Sequence, residues 1–152
     1  MQNLHATCIA LDASQSLLLR GPSGAGKSDL ALRMIALGAR LVADDQVLLR
    51  VEADTLHASA PAALRDLLEI RGIGLVRMPA LDTAIVTLLV DLVPPDSVPR
   101  LPEPAYETLL GITLPRVKLE AFSTAAALKA LQALRLAKAG LLFRQYCDEP
   151  AP

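Results

Sequence analysis

Apolar positions along this chain fall into short continuous runs through its first two thirds and into one long helical stripe near its end. The runs at residues 7–11 and 16–20 predict two strands, with Asp12, Ala13, Ser14 and Gln15 as the turn between them. Leu17-Leu18-Leu19 is apolar without a break, the mark of a strand buried on both faces. From Ser28 to Leu37 the spacing changes to that of a helix, through Leu30, Ala31, Met34, Ile35 and Leu37, and Gly38 is its expected stop. Leu41-Val42-Ala43 predicts a further buried strand that ends in Asp44-Asp45. Residues 47–51 continue as extended chain, and residues 52–55 turn it into a strand at 56–58. Pro61 is expected to open a short helix through Leu68, followed by a loop or strand edge at 69–74. Residues 83–92 predict a strong strand, residues 93–104 a connection with five prolines, and residues 109–119 one more strand. The stripe at 124–139 predicts a helix capped by Ser123 or Thr124, stopped at Gly140 and packed on the core.

Length and composition change this picture little. The chain has 152 residues, 53% of them hydrophobic, which suits one domain over residues 1–152 with a substantial core. A net charge of −1 provides no basic field for nucleic acid. The only aromatics are Tyr106, Phe122, Phe143 and Tyr146, too few for a platform that stacks successive bases. Cys8 and Cys147 lack metal-ligand spacing and read as small hydrophobes in a reducing compartment. Neither a targeting segment nor a membrane span is visible, so the expected location is the cytoplasm, away from the membrane.

The chemistry enters at Gly21-Pro22-Ser23-Gly24-Ala25-Gly26-Lys27-Ser28, a full match to GxxxxGK[ST]. Gly21, Gly24 and Gly26 let the backbone turn tightly and aim successive N–H groups inward, and the following helix adds its positive end to the same anion site. Lys27 is placed to reach the β- and γ-phosphates of ATP, and the Ser28 hydroxyl to ligate Mg²⁺. A strand before the loop and a helix after it supply the context that the mechanism needs.

Asp44 and Asp45 follow Lys27 by only seventeen and eighteen residues, close for the acidic strand of most such enzymes. At the end of a strand near the loop, one carboxylate can hold Mg²⁺ and another can take the proton of an attacking hydroxyl. The same pair also suits a solvated turn. Glu69 and Arg71 flank Ile70, so in extended chain they share a side and either serve one site or pair with each other.

The blocks at 21–28, 41–45 and Leu67-Leu68-Glu69-Ile70-Arg71-Gly72-Ile73-Gly74, with His5 sixteen residues ahead of Gly21, resemble the catalytic domain of bacterial HPr kinase/phosphorylase. The resemblance covers about residues 4–120. It implies an α/β fold, a P-loop kinase variant like that of phosphoenolpyruvate carboxykinase, with a central mixed sheet and flanking helices. It further implies transfer of the γ-phosphoryl group of ATP, with Mg²⁺, to a serine of an HPr-like carrier of a sugar or nitrogen-related phosphotransferase system. Homo-oligomers, hexamers in full-length members, belong to the same expectation. Asp44 is then the base, supported by Asp45; Ser28 and Glu69 hold Mg²⁺; Arg71 and His5 approach phosphate. His5 alone also reads as a surface histidine, and His57 as structural. Two departures stand out: the family's separate N-terminal domain has no counterpart, and its Gly-Arg-Asn block has no arginine match within residues 119–129. Weak reverse phosphorolysis is the expected result, unless Arg116 or a neighbouring subunit fills the gap. Two rival functions remain, a nucleotide-sensing module with little transfer and a small-molecule kinase.

Overall fold

Strand β3 (Gln15–Arg20) lies inside a nine-stranded sheet, between β2 (Thr7–Asp12) and β9 (Ala84–Leu92). Neighbours on both edges satisfy its backbone, and apolar layers on both faces bury Leu17, Leu18 and Leu19 completely. The structure is a computed structural model and describes residues 1–144. The remaining strands are β1 (Gln2–His5), β4 (Arg40–Ala43), β5 (Gln46–Glu52), β6 (Thr55–Ser59), β7 (Leu67–Ile70), β8 (Gly74–Arg77), β10 (Tyr106–Leu109) and β11 (Ile112–Leu119); the helices are α1 (Lys27–Ala36) and α2 (Ala126–Ala139).

The main sheet runs β1-β5-β6-β9-β3-β2-β4, with β11 joined to β9 and β10 to β11. Strand β9 pairs with β6 at its start and with β11 at its end, which curls the sheet. Strands β3, β9 and β11 are parallel, and β4 runs with β3 because both lie antiparallel to β2. The carboxyl ends of β3 and β4 therefore open at the same edge, one strand apart.

Alternation sorts the core into two layers. Ile9, Leu17 and Leu19 meet Leu30, Ala31 and Met34 of α1 and Ala130, Leu131 and Leu134 of α2. Cys8, Ala10 and Leu18 face the other way, towards Leu49, Leu56, Ala58 and Leu114. Burial pushes the Cys8 thiol up to about 12. Tyr146 and Cys147 lie outside the described residues. Helix α2 packs on the core as expected, and no helix among the described residues is long and apolar enough to cross a membrane.

Three expectations need correction, and β1 is an addition to them. The helix at 61–68 is only a 3-10 turn, Ala62–Leu64; Asp66 takes a left-handed conformation (φ 66) and redirects the chain into β7, which pairs with β8. The strand expected over 109–119 is β11 and starts only at Ile112, because Leu110 and Gly111 both have positive φ and close a two-residue hairpin from β10. Strand β1, mostly exposed and polar, carries no alternation to reveal it, yet it pairs with β5 along its length. Helix α2 begins at Ala126 with Ala125 at its cap and no side-chain cap bond; the Ser123 carbonyl accepts the Ala126 N–H instead.

Candidate functional site

The loop from Gly21 to Gly26 leaves the buried end of β3 and enters α1 at Lys27. Gly26 needs its missing side chain twice over. Its φ is 97, and a Cβ there would lie 2.8 Å from Ala121 Cβ and 3.0 Å from the Phe122 ring. Gly21 requires no left-handed backbone; it is excluded from having a Cβ by Ala25, whose Cβ would be 2.9 Å away. Lys27 is 7% exposed, and its ammonium donates to the carbonyls of Gly21 (2.7 Å) and Pro22 (3.2 Å). The cation thus braces the loop from within.

Asp44, at the end of β4, is also 7% exposed. Its Oδ1 accepts from the Ser28 hydroxyl (2.8 Å) and the Thr7 hydroxyl (3.0 Å), and its Oδ2 accepts from the Glu69 backbone N–H (3.2 Å). Thr7 is available because the intervening β2 begins at this edge. Asp45 has φ 67, and the Gln46 N–H donates across it to the Asp44 carbonyl at 2.8 Å. This three-residue turn, tolerable for aspartate, aims the two carboxylates apart. Asp44 points inward, while Asp45 reaches His5 Nε2 at 2.7 Å, with side-chain exposures of 64% and 52%.

The β7–β8 hairpin supplies Glu69 and Arg71. Arg71 stands in the turn and not in extended chain, yet both side chains line one cleft of about 460 Å³ together with Ser23, Lys27, Ser28 and Asp45. No ion pair joins Glu69 to Arg71 among the described residues. The cleft has an apolar part, too: Leu32, Ile70 and Phe122. Phe122 is held by Arg33, whose guanidinium donates to the Ala121 and Ser123 carbonyls on either side of it.

Thr7, Arg33 and Phe122 were not foreseen. The contacts that tie them to the site are distant in sequence, Thr7 to Asp44, Arg33 to Ala121 and Ser123, and Phe122 to Gly26, and only the rarity of aromatics marks Phe122. Arg116 is not in the cleft. It bonds Glu107 at 3.0 Å, and Glu107 also takes Arg20 at 2.6 Å while Arg20 holds Asp91 at 2.9 Å. Hydrogen bonds from Arg20 hold the Glu107 carboxyl below its usual range.

These residues fit Mg²⁺ and a nucleoside triphosphate. The Ser28 hydroxyl and the carboxylates of Asp44 and Glu69 are hard oxygen donors suited to that ion. No cluster of three His, Cys, Asp or Glu placed to hold a metal occurs among the described residues.

Over residues 1–124 the chain matches the family described as HPr Serine kinase C-terminal domain. It is 42% identical over 114 residues to the HPr kinase/phosphorylase of Leptothrix cholodnii, covering 66% of this chain and 35% of that protein. The HPr kinase/phosphorylase of Geobacillus kaustophilus is 42% identical over 111 residues, covering 68% of this chain and 34% of that protein. The chain spans about a third of the length of these curated relatives. The structure of the Hpr(Ser) kinase/phosphatase from Coxiella burnetii superposes with a TM-score of 0.82 at 27% identity, over 93% of both chains.

Proposed function

The chain belongs to the HPr serine kinase C-terminal domain family, and on that footing we propose that it is an ATP- and Mg²⁺-dependent protein-serine kinase acting on an HPr-like carrier. The proposed fold is the P-loop kinase variant akin to phosphoenolpyruvate carboxykinase, in one domain over residues 1–152. The observation that carries the reading is the convergence of Lys27, Ser28 and Asp44 at the glycine loop, with Ser28 bonded directly to Asp44.

The loop N–H groups and the start of α1 receive the phosphates, and Lys27 turns from the Gly21 and Pro22 carbonyls to the β- and γ-phosphoryl oxygens. Ser28 and Glu69 would hold Mg²⁺, which when bound neutralises charge on the phosphates. Asp44 takes the proton of the carrier's serine hydroxyl. A bond forms from that serine oxygen to the γ-phosphorus, the bond to the β–γ bridging oxygen breaks, and ADP leaves. Arg71 stabilises the charge of the group in transfer.

A second reading rests on Asp45 lining the cleft while bonded to His5, which makes that pair the rival base. Incubation with γ-labelled ATP, with and without an HPr-like carrier, tests the function. Label on the carrier, lost in Lys27→Ala, is the expected result. Binding without transfer selects a nucleotide-sensing module, and label on a metabolite alone selects a small-molecule kinase.

A further inference from the structure

Phe122 is 65% exposed, yet it is not loose. Its ring edge rests on Gly26, its N–H donates to Glu120 Oε1 at 2.7 Å, and Arg33 fixes the carbonyls on both sides. Single exposed apolar residues are ordinary on a protein surface. An exposed aromatic ring at the rim of a cleft, on backbone fixed by three hydrogen bonds, is different, because the fold presents it there without burying it.

Two further apolar residues border the same cleft. Leu32 is one helical turn beyond Ser28, about 6 Å along α1, and Ile70 follows Glu69 on β7. The lining therefore divides by chemistry: Lys27, Ser28, Glu69 and Arg71 suit a polyanion, while Leu32, Ile70 and Phe122 suit a flat apolar ring. A nucleoside triphosphate has that same division.

We propose that Phe122 and Leu32 form the wall against which the purine ring of the nucleotide stacks while its phosphates occupy the loop. This rests on the reading that the loop binds the phosphates of ATP. Arg33, which touches no part of the ligand, positions the wall.

The chain contains no tryptophan, so Phe122→Trp introduces a single indole at the wall. Titration of that variant with ATP-Mg should change its emission, whereas tripolyphosphate-Mg, which has no base, should bind and leave it unchanged. Phe122→Ala should lose roughly ten- to a hundredfold in ATP affinity with tripolyphosphate affinity intact. Equal losses for both ligands, or emission indifferent to saturating ATP, would overturn the wall. If the parent protein bound neither ATP nor tripolyphosphate, the phosphate-loop reading would fall, and the wall with it.

Discussion

The Ser28 hydroxyl donates to Asp44 Oδ1 at 2.8 Å, tying the first turn of α1 to the end of β4 across an intervening strand. The same carboxylate holds Thr7 and the Glu69 N–H, so one side chain gathers four segments of the site. Among its roughly four lone-pair positions, three are in use, which leaves one to accept a proton from a docked hydroxyl.

Asp44→Asn should leave ATP-Mg affinity within a few fold of the parent and lower phosphoryl transfer by roughly 100-fold or more. Asp45→Asn should lower transfer only modestly. Calorimetric binding beside single-turnover transfer reads both quantities. The opposite ranking would move the base to the Asp45–His5 pair, and loss of nucleotide binding in Asp44→Asn would make Asp44 chiefly a metal ligand.

Phosphorolysis should be weak relative to phosphorylation. It brings inorganic phosphate beside a phosphoserine, and the cleft's cations among the described residues are Lys27 and Arg71. Arg116 is committed to Glu107 and offers no replacement for the family arginine. One charge-assisted contact to phosphate contributes about 1.5–3 kcal/mol, so the reverse rate should lag by roughly one to two decades. Pyrophosphate release from phospho-carrier and phosphate is the assay. Matching forward and reverse rates would contradict this, and so would a reverse rate that collapses in Arg116→Ala with forward transfer unchanged.

Glu107 links stability to pH. Its pKa is lowered in the folded chain, first by hydrogen bonds from Arg20, so it contributes stability that is present above the unfolded value of 4.5 and is lost as pH falls through the folded value. Glu107→Gln should destabilise the protein at pH 7 by about 1.5–3 kcal/mol, the range for a charge-assisted bond. That difference should narrow below pH 4.5. Urea denaturation at pH 7 and pH 3.5 measures it, and a gap of constant size at both would show that Glu107 acts through packing alone.

How much of this could be read from the sequence depends on how locally each feature is determined. Strands β2, β3 and β4 are legible because both faces of the sheet are covered and their apolar runs are short and continuous, and helix α1 because Leu30, Ala31, Met34 and Ile35 keep helical spacing. The turn at Asp66 is not, because its left-handed backbone is imposed by β7 pairing with β8 and not by a glycine. Gly111 does signal the hairpin between β10 and β11, but the continuous apolar pattern around it masks the break. In the site, Lys27, Ser28, Asp45, Glu69 and Arg71 line one cleft, and Asp44 joins them through its bond from Ser28. Phe122 lies in a connection whose course is set by tertiary packing, through Arg33 of α1 some 90 residues away.

Cys8 sits in β2 with no exposure, between β3 and β4, and its thiol is pushed up to about 12. Thiol reagents attack only an accessible thiolate, so this sulfur stays silent until the centre of the sheet parts. With Cys147→Ser leaving a single thiol, the rate of covalent labelling becomes a stopwatch for opening of the native sheet. A ligand that binds only the closed protein must slow that stopwatch by the factor 1 + [L]/Kd when opening is in rapid equilibrium. Titrating ATP-Mg against labelling half-life would then give a nucleotide affinity with no carrier, no radiolabel and no assay of catalysis. Prompt labelling in the absence of denaturant would show that Cys8 is not buried.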